Sequence, residues 1–91
     1  MIYVYVLYSA KLRKRYVGMC SDLRARFAEH NRGESNFTNR GKPWTMIYYQ
    51  AFSNKKDARA EELFLKTGMG RQRLAVCLKE TMGELNKDRE V

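Results

Sequence analysis

Positions 2 to 8 contain no polar break. Ile2, Val4, Val6 and Tyr8 alternate with Tyr3, Tyr5 and Leu7, so both faces of an extended segment are apolar. Its β-branched and aromatic content predicts a strand covered on both sides. A polar stretch from Ser9 to Arg15 separates it from Tyr16-Val17-Gly18-Met19, close enough for the two to pair as an antiparallel hairpin. Ser21-Asp22 offers side-chain oxygen to the free N–H groups of a helix start. Leu23, Ala25, Phe27 and Ala28 supply that helix with a buried stripe, and Asn31-Arg32-Gly33 gives it a stop, so it runs from about 22 to 32. Residues 33 to 43 hold two glycines and the single proline, show no period and predict a surface loop.

From Trp44 to Phe52 the residues Trp44, Met46 and Tyr48 alternate with Thr45, Ile47 and Tyr49, which predicts a third strand. Asn54, with Asp57 three positions on, caps a helix that runs through Lys66. Thr67-Gly68-Met69-Gly70 interrupts it. A last amphipathic helix from about 71 to 85 has Leu74, Val76, Cys77, Leu78 and Met82 as its apolar side, and residues 86–91 should fray. The order is β-β-α-β-α-α. Parallel winding needs longer crossovers, so the pattern predicts an α+β fold, a three-stranded, mostly antiparallel sheet flanked by helices, in one domain over residues 1–85.

The 91 residues carry 18 Lys plus Arg against 10 Asp plus Glu, a formal charge of +8. Residues 1–52 hold nine basic and three acidic side chains, residues 53–91 nine and seven, so the excess lies in the first half. That asymmetry favours an anionic partner, nucleic acid before membrane, although surplus charge also serves solubility. Cys20 and Cys77 form neither a disulfide framework nor a zinc cluster, and reduced thiols point to the cytoplasm. The apolar start is shorter than a membrane span, lacks a basic region and cleavage site, and reads as a core strand.

No nucleophile elbow, P-loop, HExxH or dinucleotide fingerprint is present. Tyr5 and Tyr16 lie on paired strands, where a tyrosine ordinarily fills a core. Arg26 and His30, four apart on a helix, face the same way, and their ordinary reading is a solvated face with Arg26 paired to Glu29 or Asp22. Glu61 and Glu62 are about 100° apart on the second helix, Glu61 between Phe64 and Leu65 on the helical wheel and Glu62 beside Ala58 at the margin of the apolar arc, and periodicity does not choose between them. A carboxylate near a buried face needs a cation or an arginine to meet it.

In order, Tyr3-Val4-Tyr5, Tyr16-Val17-Gly18, Ser21-Asp22-Leu23 with Arg26, His30 and Asn31, the loop Phe37-Thr38-Asn39-Arg40-Gly41-Lys42-Pro43, Ala58-x-x-x-Glu62-x-x-Leu65-Lys66 and Lys66-Thr67-Gly68-Met69-Gly70-Arg71 resemble the GIY-YIG nuclease superfamily. The likeness is to its small single-domain bacterial members, which are similar to the N-terminal nuclease domain of the excinuclease C subunit. It departs in opening with Tyr-Val-Tyr rather than Gly-Ile-Tyr, and in having no Asn from Arg71 to Lys79.

The resemblance implies a metal-dependent endonuclease that hydrolyses phosphodiester bonds in DNA by direct water attack, a chemistry used in DNA repair. It places Tyr5 and Tyr16 at the scissile phosphate with Tyr5 as general base, makes Arg26 the phosphate clamp, gives His30 a supporting role and selects Glu62 as ligand of one divalent metal, Mg²⁺ or Mn²⁺. Arginine suits the clamp because its charge and forked donors are fixed. Lys11, Arg13, Lys14, Arg15, Arg40 and Lys42 would hold flanking phosphates without reading sequence. So small a cassette implies a protein partner supplying specificity. The alternative is a non-catalytic nucleic-acid-binding module of the same fold, with RNA as a variant ligand and no membrane.

Overall fold

A computed structural model describes residues 1–34 and 38–86. Strand β1 (Ile2–Ser9) and strand β2 (Lys14–Cys20) form a hairpin, helix α1 (Leu23–Arg32) follows, and a single 3-10 turn at Asn39–Gly41 leads into strand β3 (Trp44–Phe52). Helices α2 (Lys55–Leu65), α3 (Gly68–Cys77) and α4 (Lys79–Asn86) complete the chain. The sheet order is β2-β1-β3, antiparallel throughout, and in the register Tyr5 stands opposite Gly18 on β2 and Tyr49 on β3. The α+β class and the three-stranded antiparallel sheet are as expected.

As the central strand, β1 is apolar on both sides because both are covered. Val4, Val6 and Tyr8 pack with Ile47, Ala58, Leu65, Leu74 and Leu78 beneath α2, α3 and α4. Tyr5 and Leu7 pack with Cys20 and Trp44 on the other face, where Tyr16 and, from α1, Leu23 and Phe27 join them. The helices begin where side chains satisfy their first N–H groups. Asp22 Oδ1 accepts from Ala25 N at 3.0 Å, Asn54 Oδ1 from Lys56 N at 2.8 Å, and Thr67 Oγ1 from Gly70 N at 3.1 Å. Gly33, at φ 79°, closes α1 with its N–H on the carbonyls of Glu29 and His30.

Several details differ from the expectation. The break expected at Thr67–Gly70 falls at Lys66 and Thr67, with Gly68, Met69 and Gly70 already in α3, and the last helix is two, broken at Leu78. Leu78 leaves helical geometry at φ −110° and ψ 23° while staying buried, so the bend lets Met82 and Leu85 follow it onto the sheet. Val76, 81% exposed, and Cys77 lie outside the apolar face assigned to them, and Ala25 of α1 is exposed. Asn86 still belongs to α4, and residues 87–91 fall outside the described residues, as does Phe37 of the loop motif.

Candidate active site

Because β2 is an edge strand, side chains from both faces of the sheet can meet around it. A cavity of about 410 Å³ lies there, lined from the α1 side by Tyr16, Gly18 and Arg26 and from the α2 side by Val17, Met19, Glu62, Leu65 and Lys66, with Arg15, Arg71 and Leu74 completing it. Four cationic side chains and one carboxylate share this wall, which suits a ligand bearing negative charge. Tyr16 and Arg26 also line a smaller neighbouring cavity, of about 170 Å³, with Glu29, His30 and Glu34.

Tyr5 sits behind this wall. Its ring is fully buried, and a Cβ built on Gly18 would overlap its hydroxyl, so the tyrosine fills the space left by the missing side chain. The Tyr5 hydroxyl lies 2.9 Å from His30 Nε2, and His30 Nδ1 lies 2.7 Å from Thr38 Oγ1. Burial first, and the Tyr16 hydroxyl second, push the Tyr5 phenol well above its ordinary 10.0, against the opposing pull of Arg26. We therefore assign the phenolic O–H as donor to Nε2 and the Nδ1–H as donor to Thr38. Burial, reinforced by Arg26, also lowers the His30 pKa below its ordinary 6.5, with Glu29 opposing, and keeps the imidazole neutral.

This chain is anchored at its far end. Trp44 Nε1 donates to the Thr38 carbonyl at 2.7 Å, and the Asn31 amide brackets the Trp44 backbone, accepting from its N–H at 2.6 Å and donating to its carbonyl at 3.1 Å. The Tyr16 ring meets both His30, at 5.0 Å between centroids, and Trp44, at 6.3 Å. Thr38 and Trp44 were not singled out from the sequence. Thr38 lies in a loop without period, and its one signal was membership of the Phe37–Pro43 motif.

Glu62 and Glu61 part company as the wheel could not decide. Glu62 is 7% exposed and reaches the cavity, where Arg59 Nη1 and Lys66 Nζ donate to its two oxygens, the latter at 3.4 Å. Glu61 faces the β3 side, accepting from Arg73 Nη2 at 2.6 Å and from the Tyr48 hydroxyl at 3.2 Å. Among the described residues no group of three or more His, Cys, Asp or Glu could hold a metal ion. Glu62 is the one carboxylate among the described residues of the cavity wall, and Arg59 or Lys66 would have to give way for it to hold a largely hydrated Mg²⁺, which takes one or two carboxylates and completes its shell with water and phosphate oxygen.

Of the residues expected to hold flanking phosphates, Arg15 lines the cavity, whereas Lys11, Arg13, Lys14, Arg40 and Lys42 are exposed outside it. They nevertheless belong to one end of the molecule. Ser9, fully buried, donates from Oγ to the Gly41 carbonyl at 2.6 Å and accepts from Leu12 N at 3.0 Å, which ties the basic hairpin to the loop bearing Arg40 and Lys42. Arg26 pairs with Glu29, Nε to Oε2 at 3.2 Å, as its helical spacing suggested. Among the described residues no helix is long and apolar enough to cross a membrane.

The GIY-YIG catalytic domain family matches residues 1–74. The chain is 30% identical to a UPF0213 protein of Clostridium perfringens over the whole of this chain and 98% of that one. It is 39% identical to a UPF0213 protein of Streptococcus pyogenes serotype M5 over 80% of each chain, and 33% identical to one of Staphylococcus haemolyticus over 79% of this chain and 88% of that one. No solved structure matches significantly. With the family match covering both tyrosine motifs, the helical arginine and the late glutamate, the chain belongs to the GIY-YIG nuclease superfamily.

Proposed function

We propose that the protein is an endonuclease that hydrolyses phosphodiester bonds in DNA at the β2-edge cavity. The observation that carries this reading is the convergence of Tyr16, Arg26 and Glu62, from one strand and two helices on opposite faces of the sheet, on one cationic cavity. In the reaction a water oxygen bonds to phosphorus, the phosphorus–oxygen bond to the leaving strand breaks, and the water loses a proton. Tyr16, in the wall, relays that proton, accepting it as its own phenolic proton passes to solvent. Arg26 donates to the non-bridging oxygens, and Arg15, Lys66 and Arg71 add positive charge where the transition state gains negative charge. Glu62 would hold a divalent cation, which would supply polarisation of the phosphate and charge at the leaving oxygen.

Tyr5 is recast from general base to positioning residue. A base must reach the proton it abstracts, and the Tyr5 ring is enclosed behind the wall with its hydroxyl 2.9 Å from His30 Nε2. Its task, with His30, is to hold the floor under Tyr16.

One observation favours the second reading, a non-catalytic nucleic-acid-binding module: both oxygens of Glu62 are engaged by Arg59 and Lys66. Nicking of supercoiled DNA with Mg²⁺ against chelator separates the two, using wild type beside Tyr16→Phe, Arg26→Ala and Glu62→Ala. Metal-dependent nicking by wild type alone supports the nuclease. Salt-sensitive binding without nicking in any of the four supports the module.

A further inference from the structure

Beyond the cavity, α2 carries a basic stripe that the charge count alone did not reveal. Lys55, Arg59, Glu62 and Lys66 recur at helical spacing and so share one side of the helix. Glu62 and Lys66 line the cavity, while Lys55, Lys56 and Arg59 line a separate groove of about 570 Å³ together with Met19. Met19 belongs to both, so the groove adjoins the cavity at β2. Opposite charges are sorted away. Asp57 and Glu61 line a pocket on the β3 side with Gln50, Phe52 and Arg73, leaving no carboxylate among the residues lining the groove.

We infer that this groove of Met19, Lys55, Lys56 and Arg59 binds the sugar–phosphate backbone of the nucleic-acid strand flanking the scissile phosphate. The inference rests on the reading of the cavity as the site of a nucleic-acid phosphate. Charge and position both select the occupant. Lys55 and Lys56 present two adjacent exposed cations, and Arg59, paired with Glu62, carries the basic lining toward the cavity, a row that matches a repeating phosphate rather than a single small anion. Met19 offers apolar contact to sugar, and the lysine stems flank it. With the hairpin and the Arg40–Lys42 loop at the other end, the strand has a basic surface on either side of the cavity, and the α2 side is the one the sequence did not single out.

The test is binding of the full chain to a fluorescently labelled DNA oligonucleotide across a salt series, free of catalysis in chelator. The proteins are wild type, the double variant Lys55→Gln/Lys56→Gln, and Lys79→Gln as a single-charge control on α4. Both lysines of the groove are exposed, and a thermal melt verifies folding. Removing one cation that neutralises a phosphate lowers the slope of log K against log salt by about 0.9, so the double variant should fall by roughly two units of slope and Lys79→Gln by close to none. Unchanged slope in the double variant, with wild type binding, overturns the groove and leaves the cavity standing. An equal per-charge fall in Lys79→Gln also overturns it, since net charge would then explain the effect. Absence of salt-sensitive binding by wild type overturns both readings.

Discussion

Tyr5 and Gly18 face each other across β1 and β2, and the tyrosine hydroxyl occupies the volume that any side chain at position 18 would need. Gly18→Ala should therefore destabilise the fold by about 1–3 kcal/mol, the range for overpacking a filled core. Adding Tyr5→Phe should relieve only part of the overlap, because the ring carbon bearing the hydroxyl is also in the way, so the double variant should lose less than the sum of the two single losses. Urea unfolding of Gly18→Ala, Tyr5→Phe and the double variant checks this.

The two tyrosines should separate by experiment. Tyr5→Phe leaves His30 Nε2 without its buried partner and should cost roughly 1–3 kcal/mol of stability. Tyr16→Phe, in the cavity wall, should instead lower the nicking rate by roughly a hundredfold or more. A larger rate loss for Tyr5→Phe than for Tyr16→Phe, with both folded, would return the base to Tyr5.

Stability should depend on His30 in acid. Its folded pKa lies below 6.5, held there by burial and then by Arg26, so the unfolded chain binds the proton first as pH falls. The stabilisation is fully present above pH 6.5 and is lost as pH drops through the folded value. Tyr5 gives the mirror case: its raised phenol stabilises the fold below pH 10.0 and loses that effect as pH rises beyond it. Urea midpoints across a pH series should fall on the acid side for wild type, and His30→Gln should flatten that limb.

Arg13 holds a left-handed backbone at φ 55° in the turn between β1 and β2. Arg13→Gly should stabilise the protein by ~1 kcal/mol, while weakening DNA binding and lowering its salt slope by about one. Unfolding and binding measured on the same preparation reveal whether stability and affinity move in opposite directions.

Glu62→Gln should abolish Mg²⁺-dependent nicking and, independently of activity, remove Mn²⁺ binding as measured by titration calorimetry. Removing the metal from wild type with chelator should give the same rate as Glu62→Gln. A Mn²⁺ site that survives the substitution would place the cation elsewhere.

The strands were legible because β-branched and aromatic runs carry their own signal, and Asp22, Asn54 and Gly33 announced three helix ends. Helix α3 was harder. Its start at Thr67-Gly68 puts two glycines, Gly68 and Gly70, in the first turn, and Gly70 is needed because a Cβ there would strike the Phe64 carbonyl where α2 and α3 cross. The bend at Leu78 follows from tertiary packing and leaves no local mark. For the site, spacing on one element was enough to align Arg26 with His30. Choosing between Glu61 and Glu62 required knowing which side of α2 meets the edge of the sheet. The burial of Tyr5 depended on a glycine thirteen residues away.

Strand β2 has an open edge, and an open edge invites a strand from another molecule. Its two cationic residues at the hairpin end, Lys14 and Arg15, make that approach unfavourable between identical chains while leaving it favourable for an anionic polymer. The feature that draws a substrate to the edge thus also discourages sheet-to-sheet self-association. Neutral replacements at Lys14 and Arg15 would carry a cost in solubility as well as in binding.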